Sequence, residues 1–409
     1  MGNGLRQKLL RRSQFLIFSF SFFLLSFIFT LPVQAQKKEM SQARTYLKSG
    51  KDYDKAEKLM TDLLKDSANR DNKRIYLLWY EAVRGQYDQA NMKLYLKQKQ
   101  DTAAFFDLNQ LMFTILEALD SVDMRPDKKG RVAPEYRQKH AELLNGYRPN
   151  LFAAGSYHLR KAAYQQAFNY FESYIDCDRQ PLFADYHFDS TDVRMPEAAY
   201  WATFAAYKQH DPVLTLRHRK LALRDSAKAQ YTLQYMAEAR HWLNDEELYV
   251  KTLEEGFRKF PMSTYYFPRL LDSYTRQGRL DKALAVADTA LTVCDSCEIF
   301  LFAKSTTLLR MEKYGESVKV SNRLIALNDS LPEPHFNAGT AYLNIALKLD
   351  PRKDKKQLRQ LYQKARTEME RYRQLMPDEK QKWGPALYRI YLNLNMGKQF
   401  DEIDRLLKK

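Results

Sequence analysis

Residues 265–291 read YYFPRLLDSYTRQGRLDKALAVADTAL. Phe267, Leu270 and Tyr274 recur at three- and four-residue spacing, which places side chains on one face of a helix. Gly278 follows, and Ala283, Ala287 and Ala290 repeat that spacing on a second run. Two short helices cannot bury an apolar stripe between themselves alone, so the stretch predicts a unit that must stack on similar units.

The same frame recurs along the chain. Gly50, Tyr53 and Ala56 return as Gly85, Tyr87 and Ala90, and the step from Tyr53 to Tyr87 equals that from Ala56 to Ala90. Tyr164 with Ala167 and Tyr314 with Ser317 repeat the motif, and Ala283 precedes Ser317 by the same step. Small residues such as Ala56, Ala90 and Ala283 let two helices approach closely. Tyr53, Tyr87 and Tyr314 are expected to fill the space near the turn. A small-to-large change in such a seam costs about 1–3 kcal/mol.

A 34-residue period of paired helical runs resembles the tetratricopeptide repeat family. Leu151, Ala154, Gly155, Tyr164, Ala167, Phe171 and Tyr174 occupy the family's small and aromatic places in one unit. His335, Ala338, Gly339, Tyr342, Ala365, Met369, Tyr372 and Pro377 occupy them in another. The resemblance implies an all-α, right-handed superhelical solenoid of stacked helix pairs, with roughly 18–20 helices. Units are expected at 37–70, 71–104, 148–181, 196–229, 231–264, 264–297, 298–331, 332–379 and 380–409. Pro212 is expected to open the second helix of 196–229.

Two stretches break the period. Residues 105–147 predict an apolar helix over Phe105–Leu119, a loop around Met124–Pro134 and a short helix to Leu144. Residues 182–195 carry Phe183, Tyr186 and Phe188 and are expected to pack over a neighbouring helix. The organisation is therefore a leader over 1–35, N-terminal helix pairs over 36–147 with the last atypical, and a main array over 148–409. The array contains a Lys-, Arg- and Asp-rich insert near 349–356 and ends in a degenerate capping unit.

The N-terminus has the order of an export signal. Arg6, Lys8, Arg11 and Arg12 precede the apolar run FLIFSFSFFLLSFIF at 15–29, and Val33 and Ala35 are small. The run is shorter than the roughly 20 residues that span a bilayer, so cleavage after Ala35 is expected. The mature chain then has no stable transmembrane span and is placed in the periplasm or peripherally on the outer membrane. The whole chain carries a formal charge of +16; loss of the leader leaves about +12. The cations are spread and mixed with acids, which argues against a nucleic-acid partner. At 45% hydrophobic and 28% charged residues, the composition argues against general disorder.

A search for chemistry yields little. The seven histidines share no metal-ligating spacing, and no phosphate loop or nucleophile-elbow motif occurs. No catalytic residue, metal or cofactor is expected. Cys294 and Cys297 lie at a repeat junction and read as a disulfide staple or free thiols rather than a redox pair, which requires a helix-start thiolate. Cys177 is expected to be buried.

The family presents a concave face from the second, fifth, ninth and twelfth places of each first helix. Ile299, Phe302, Thr306 and Leu309 fill these in one unit, and Glu333, Phe336, Thr340 and Leu343 in another. They lack the Lys and Asn set by which one subclass clamps a peptide carboxylate. In the middle of the chain the frame places Phe152, then Tyr200, Phe204 and Tyr207, then Tyr235 and Trp242, with Lys208, Arg217 and Arg240 near them as a basic rim. The expectation is a non-enzymatic scaffold of the cell envelope that binds a protein or peptide partner on Phe152, Tyr200, Phe204, Tyr207, Tyr235, Trp242, Phe302 and Phe336. Internal packing of these rings is the plain alternative. Permanent residence in a larger envelope assembly is the alternative for function.

Overall fold

The computed structural model describes residues 36–127 and 129–408. The expected leader over 1–35 lies outside the described residues. The described chain is all α-helix with short 3-10 turns, and it contains no strand. It divides into two units, one ending at Lys228 and the other beginning at Ala229.

The first unit contains α1 (36–49), α2 (Tyr53–Leu64), α3 (Lys73–Tyr95), α4 (Thr102–Asp123), α5 (Arg137–Arg160) and α6 (Tyr164–Asp176). It continues through α7 (Phe188–Thr191), α8 (Met195–Lys208), α9 (Pro212–Arg217) and α10 (Arg219–Ala222). The second unit contains α11 (Ala229–Trp242), α12 (Glu246–Lys259), α13 (Tyr266–Arg276), α14 (Leu280–Val293) and α15 (Glu298–Arg310). It ends with α16 (Tyr314–Leu327), α17 (Pro332–Leu347), α18 (Lys355–Leu375), α19 (Lys380–Asn393) and α20 (Gly397–Leu407). Within the second unit each helix packs on the next in chain order.

The repeat period is written into the turns. His210, Asn244, Gly278 and Glu312 all have positive φ, between 55° and 70°, and they are evenly spaced by one repeat. Each closes the first helix of a pair in the left-handed conformation and turns the chain into the second. The second helices α12, α14 and α16 start at Glu246, Leu280 and Tyr314, with the same even spacing. Side-chain caps reinforce some of these starts: the Asp211 carboxylate accepts from Leu214 N–H and that of Asp245 from Leu248 N–H. Ala283, Ala287 and Ala290 are fully buried, as the close approach of α14 to its neighbours requires.

The N-terminal register departs from the expected one. Residues 71–104 are not a helix pair; α3 is a single helix of 23 residues. Gly85 and Tyr87 lie inside it, so their match to Gly50 and Tyr53 does not mark a turn. Gly85 instead lies under the Tyr53 ring, where a Cβ would collide with ring carbons. The helix tolerates the glycine because burial of α3 against α2 outweighs a propensity cost of about 1 kcal/mol. Similarly, α5 does not end at Leu144. It runs through Pro149 to Arg160, across the boundary expected between 147 and 148. The proline removes one backbone bond, but Leu144, Leu151 and Ala154 on either side are fully buried, and their packing keeps the helix continuous.

Pro212 does open α9, but the second helix is broken after Arg217 and resumes as α10. The 182–195 segment packs over helices as expected: Phe183 meets Phe113 of α4 with ring centroids 6.2 Å apart, and Phe188 is buried. The insert forms the linker 348–354 and the start of α18.

Candidate functional site

A groove of about 330 Å³ runs between α13 and α15. One wall carries Phe267, Pro268, Leu271, Asp272 and Thr275; the other carries Ile299, Phe302, Ala303, Thr306, Thr307 and Arg310. Pro268 fits because it lies in the first turn of α13, where its missing N–H has no intrahelical partner to lose. Ile299 is 54% exposed, which leaves an apolar surface open at one end. Phe267 is buried and meets Phe300 at 4.6 Å, edge to face, so the floor is packed from beneath.

The α15 wall is fixed from behind. Buried Asn337 on α17 donates to both Ser305 Oγ and Thr306 Oγ1 at 2.9 Å. Ser317 on α16 donates to the Ser305 carbonyl at 2.8 Å. These bonds satisfy buried polar groups and hold the Thr306 hydroxyl in one direction. The rim has one charge of each sign, Asp272 and Arg310. Asp272 is paired with Arg276 at 3.0 Å. An apolar floor with a few fixed polar groups is the usual make-up of a ligand groove.

The frame assigns Ile299, Phe302, Thr306 and Leu309, of which Leu309 does not line the groove, and it reaches three of the five residues of the opposite wall. Applied to 264–297, it places Pro268, Asp272 and Thr275 at the fifth, ninth and twelfth positions. All three line the groove. They are absent from the residues expected to bind, although the register carries the signal for them.

The expected aromatic set is distributed over both units. In the first, Phe152 is half-buried and packs edge-on against Phe171 and Tyr174 at 5.3 and 5.7 Å, within its own helix pair. Tyr200 is buried, with its ring 4.9 Å from Trp201. Phe204 is half-buried beside Tyr164 and Trp201, and Tyr207 is half-buried. In the second unit Tyr235 is buried and Trp242 half-buried. Phe336 rests on Tyr372 at 5.1 Å, while Phe302 lines the groove. Arg217, expected at a binding rim, is ion-paired with Glu172.

A second cleft of about 430 Å³ lies between α12 and α14, lined by Phe257, Leu270, Tyr274, Val286 and Val293 among others. The Cys294 and Cys297 sulfurs face one another at bonding distance across the turn between α14 and α15, with Cα atoms 5.5 Å apart. Among the described residues no cluster of His, Cys, Asp and Glu could hold a metal. No described helix is long and apolar enough to cross a membrane.

No protein-family model and no curated protein matches the chain. Among solved structures it is similar to the C-terminal part of a TPR repeat-containing protein from Cytophaga hutchinsonii. That match has 10% identity and a TM-score of 0.42, and covers 62% of this chain and 92% of that one. It is also similar to the P58(IPK) TPR domain, with 13% identity, TM-score 0.27, and coverage of 89% and 99%. A third likeness is to yeast Tom70, with 12% identity, TM-score 0.34, and coverage of 91% and 84%.

Proposed function

We propose that this chain is a non-enzymatic scaffold of the cell envelope that binds a protein or peptide segment in the groove between α13 and α15. The observation that carries the reading is the coincidence of two independent features. Six of the eight positions that the repeat frame assigns to a concave face in 264–297 and 298–331, all but Tyr265 and Leu309, line a groove with an apolar floor, a polar back wall and a charged rim. An extended segment lays an apolar side chain against Phe302, Pro268 and Ile299, and its backbone meets Thr275 and Thr306. The envelope assignment rests on the basic, apolar and small-residue order of 1–35, and cleavage after Ala35 would leave Gln36 as the first residue.

The test places a photo-crosslinking residue at Phe302 and compares crosslinks in envelope extract with those from a chain carrying the probe at exposed Val213 on α9. Specific products at 302 that are lost in Ile299→Asp support the reading. Identical products from both probes, or products unchanged by Ile299→Asp in a chain of native helicity, would sink it. Labelled partner that exchanges with free partner indicates a binding scaffold. Obligate co-purification without exchange indicates a permanent subunit of an assembly.

A further inference from the structure

The overlong unit carries a helix longer than its counterparts. α18 has 21 residues, whereas its counterparts α12, α14 and α16 have 14 each. Its fully buried side chains begin at Tyr362; in the two turns before it, about 10 Å long, only Leu358 and Leu361 are half-buried against the core and the other side chains are exposed. Within these turns and the linker before them lie Arg352, Lys353, Lys355, Lys356 and Arg359, all exposed. None of the five makes an ion pair among the described residues. The neighbouring Lys348, by contrast, is paired with Glu312 at 3.1 Å. Asp350 and Asp354 are directed at backbone: Asp350 Oδ1 accepts from Arg352 N–H and Asp354 Oδ2 from Asp350 N–H.

The placement also opposes local helix electrostatics. The positive end of a helix dipole favours acidic side chains. α12, α14 and α16 obey this with Glu246 and Glu247, Asp281 and Glu316 in their first turns. The first turn of α18 has no acid and carries Lys355 and Lys356 behind an N-cap Asp354, as cations also open α3, α5 and α19. Neither burial nor ion pairing occupies these five cations, so they are available to an anionic surface outside the chain.

We propose that the tip formed by 348–359 docks on an anionic lipid surface. Clustered Lys and Arg on one exposed tip are attracted to acidic headgroups, and each contributes additively near the surface. Leu347, 52% exposed at the foot of the tip, supplies an apolar contact at the headgroup boundary. The tip has no aromatic ring on which bases could stack, since Tyr362 is buried, and this disfavours single-stranded nucleic acid.

The experiment uses residues 36–409 and flotation with vesicles of phosphatidylcholine alone or phosphatidylcholine rich in phosphatidylglycerol. The expected result is binding to the anionic vesicles only, lost at high salt. It should be weakened roughly tenfold or more in the quadruple variant Lys353→Gln, Lys355→Gln, Lys356→Gln and Arg359→Gln. Circular dichroism and melting of that variant should match or exceed the wild type, because the change removes cations from the wrong end of a helix. No binding to anionic vesicles, or equal binding by the variant, overturns the proposal. So does tighter binding of the wild type to duplex or single-stranded DNA than to the vesicles at the same salt.

Discussion

Gly155 on α5 lies directly against the Phe171 ring on α6: a Cβ at 155 would stand 2.7 Å from two of its ring carbons. Phe171 is fully buried and cannot withdraw. Gly155→Ala should therefore lose about 1–3 kcal/mol to overpacking, although alanine is the better helix former. Gly146 is the internal control. It lies in the same helix with nothing near its missing Cβ, so Gly146→Ala should gain about 0.5–1 kcal/mol. Paired chemical denaturation decides the matter; equal signs for the two variants would remove close approach as the explanation.

Ala162 closes α5 with φ of 55°, a conformation that L side chains disfavour. Ala162→Gly should stabilise the chain by about 0.5–1 kcal/mol, the relief of left-handed strain exceeding the added freedom of the unfolded chain. Gly278→Ala, with φ of 70° and open space around it, should move stability the other way. Thermal melts of the two variants should bracket the wild type.

Arg148 is held between the Tyr174 and Phe188 rings, its guanidinium 3.8 Å from each centroid. It bonds Asp192 at 2.6 Å and the Tyr174 carbonyl at 3.1 Å. Burial alone would raise the Asp192 carboxyl, but bonds from Tyr174, the Arg194 N–H and Arg148 outweigh it and hold the group below its ordinary range. Arg148→Met would leave that carboxylate without its counter-ion and should cost about 3–5 kcal/mol. Adding Asp192→Asn should recover part of the loss. A double variant no better than the single one would mean that packing, not charge, dominates.

Two buried histidines should titrate in opposite directions. For His335, burial pulls the imidazole down, but the Glu368 carboxylate at 2.6 Å and the Asp329 carbonyl at 3.0 Å outweigh it, and the folded value lies above the ordinary 6.5. Its stabilising contribution is complete below 6.5 and disappears as pH rises through the folded value. His218 is pushed down to about 4, chiefly by burial. Unfolding then takes up a proton, so stability falls as pH drops from 6.5 towards 4. Imidazole NMR signals followed across this range would show the split; a His335 midpoint below that of His218 would refute it.

Cys177 is buried, and burial pushes its thiol up to about 12. It should be inert to thiol reagents in the native protein and react once on unfolding. Cys294 and Cys297 should be recovered as one crosslinked peptide from non-reduced digests, and they should show no insulin-reductase activity. Reduction should shift melting little, because a bridge between residues so close in sequence restricts the unfolded chain only slightly. Thiol-dependent turnover abolished by Cys294→Ser would assign them a catalytic role.

Helix stacking is legible in the residues alone, and from Asn244 onward so is the register. The left-handed turns at Asn244, Gly278 and Glu312 and the buried alanines at 283, 287 and 290 are local requirements, which repeat wherever the unit repeats. The same frame reaches the groove, because side chains on one helix face follow from spacing: Ile299, Phe302 and Thr306 need no knowledge of contacts to be grouped. Long-range packing governs the places where local signals are overruled. Gly85 reads as a turn and 147–148 as a boundary, yet Gly85 lies inside α3 and the boundary, beside Pro149, inside α5. At these positions the burial of neighbouring side chains outweighs a local cost of one bond or about 1 kcal/mol, and burial depends on helices remote in sequence. For the same reason spacing places Phe152 and Phe302 on equivalent faces but does not reveal that Phe152 meets the rings of Phe171 and Tyr174 while Phe302 borders open space.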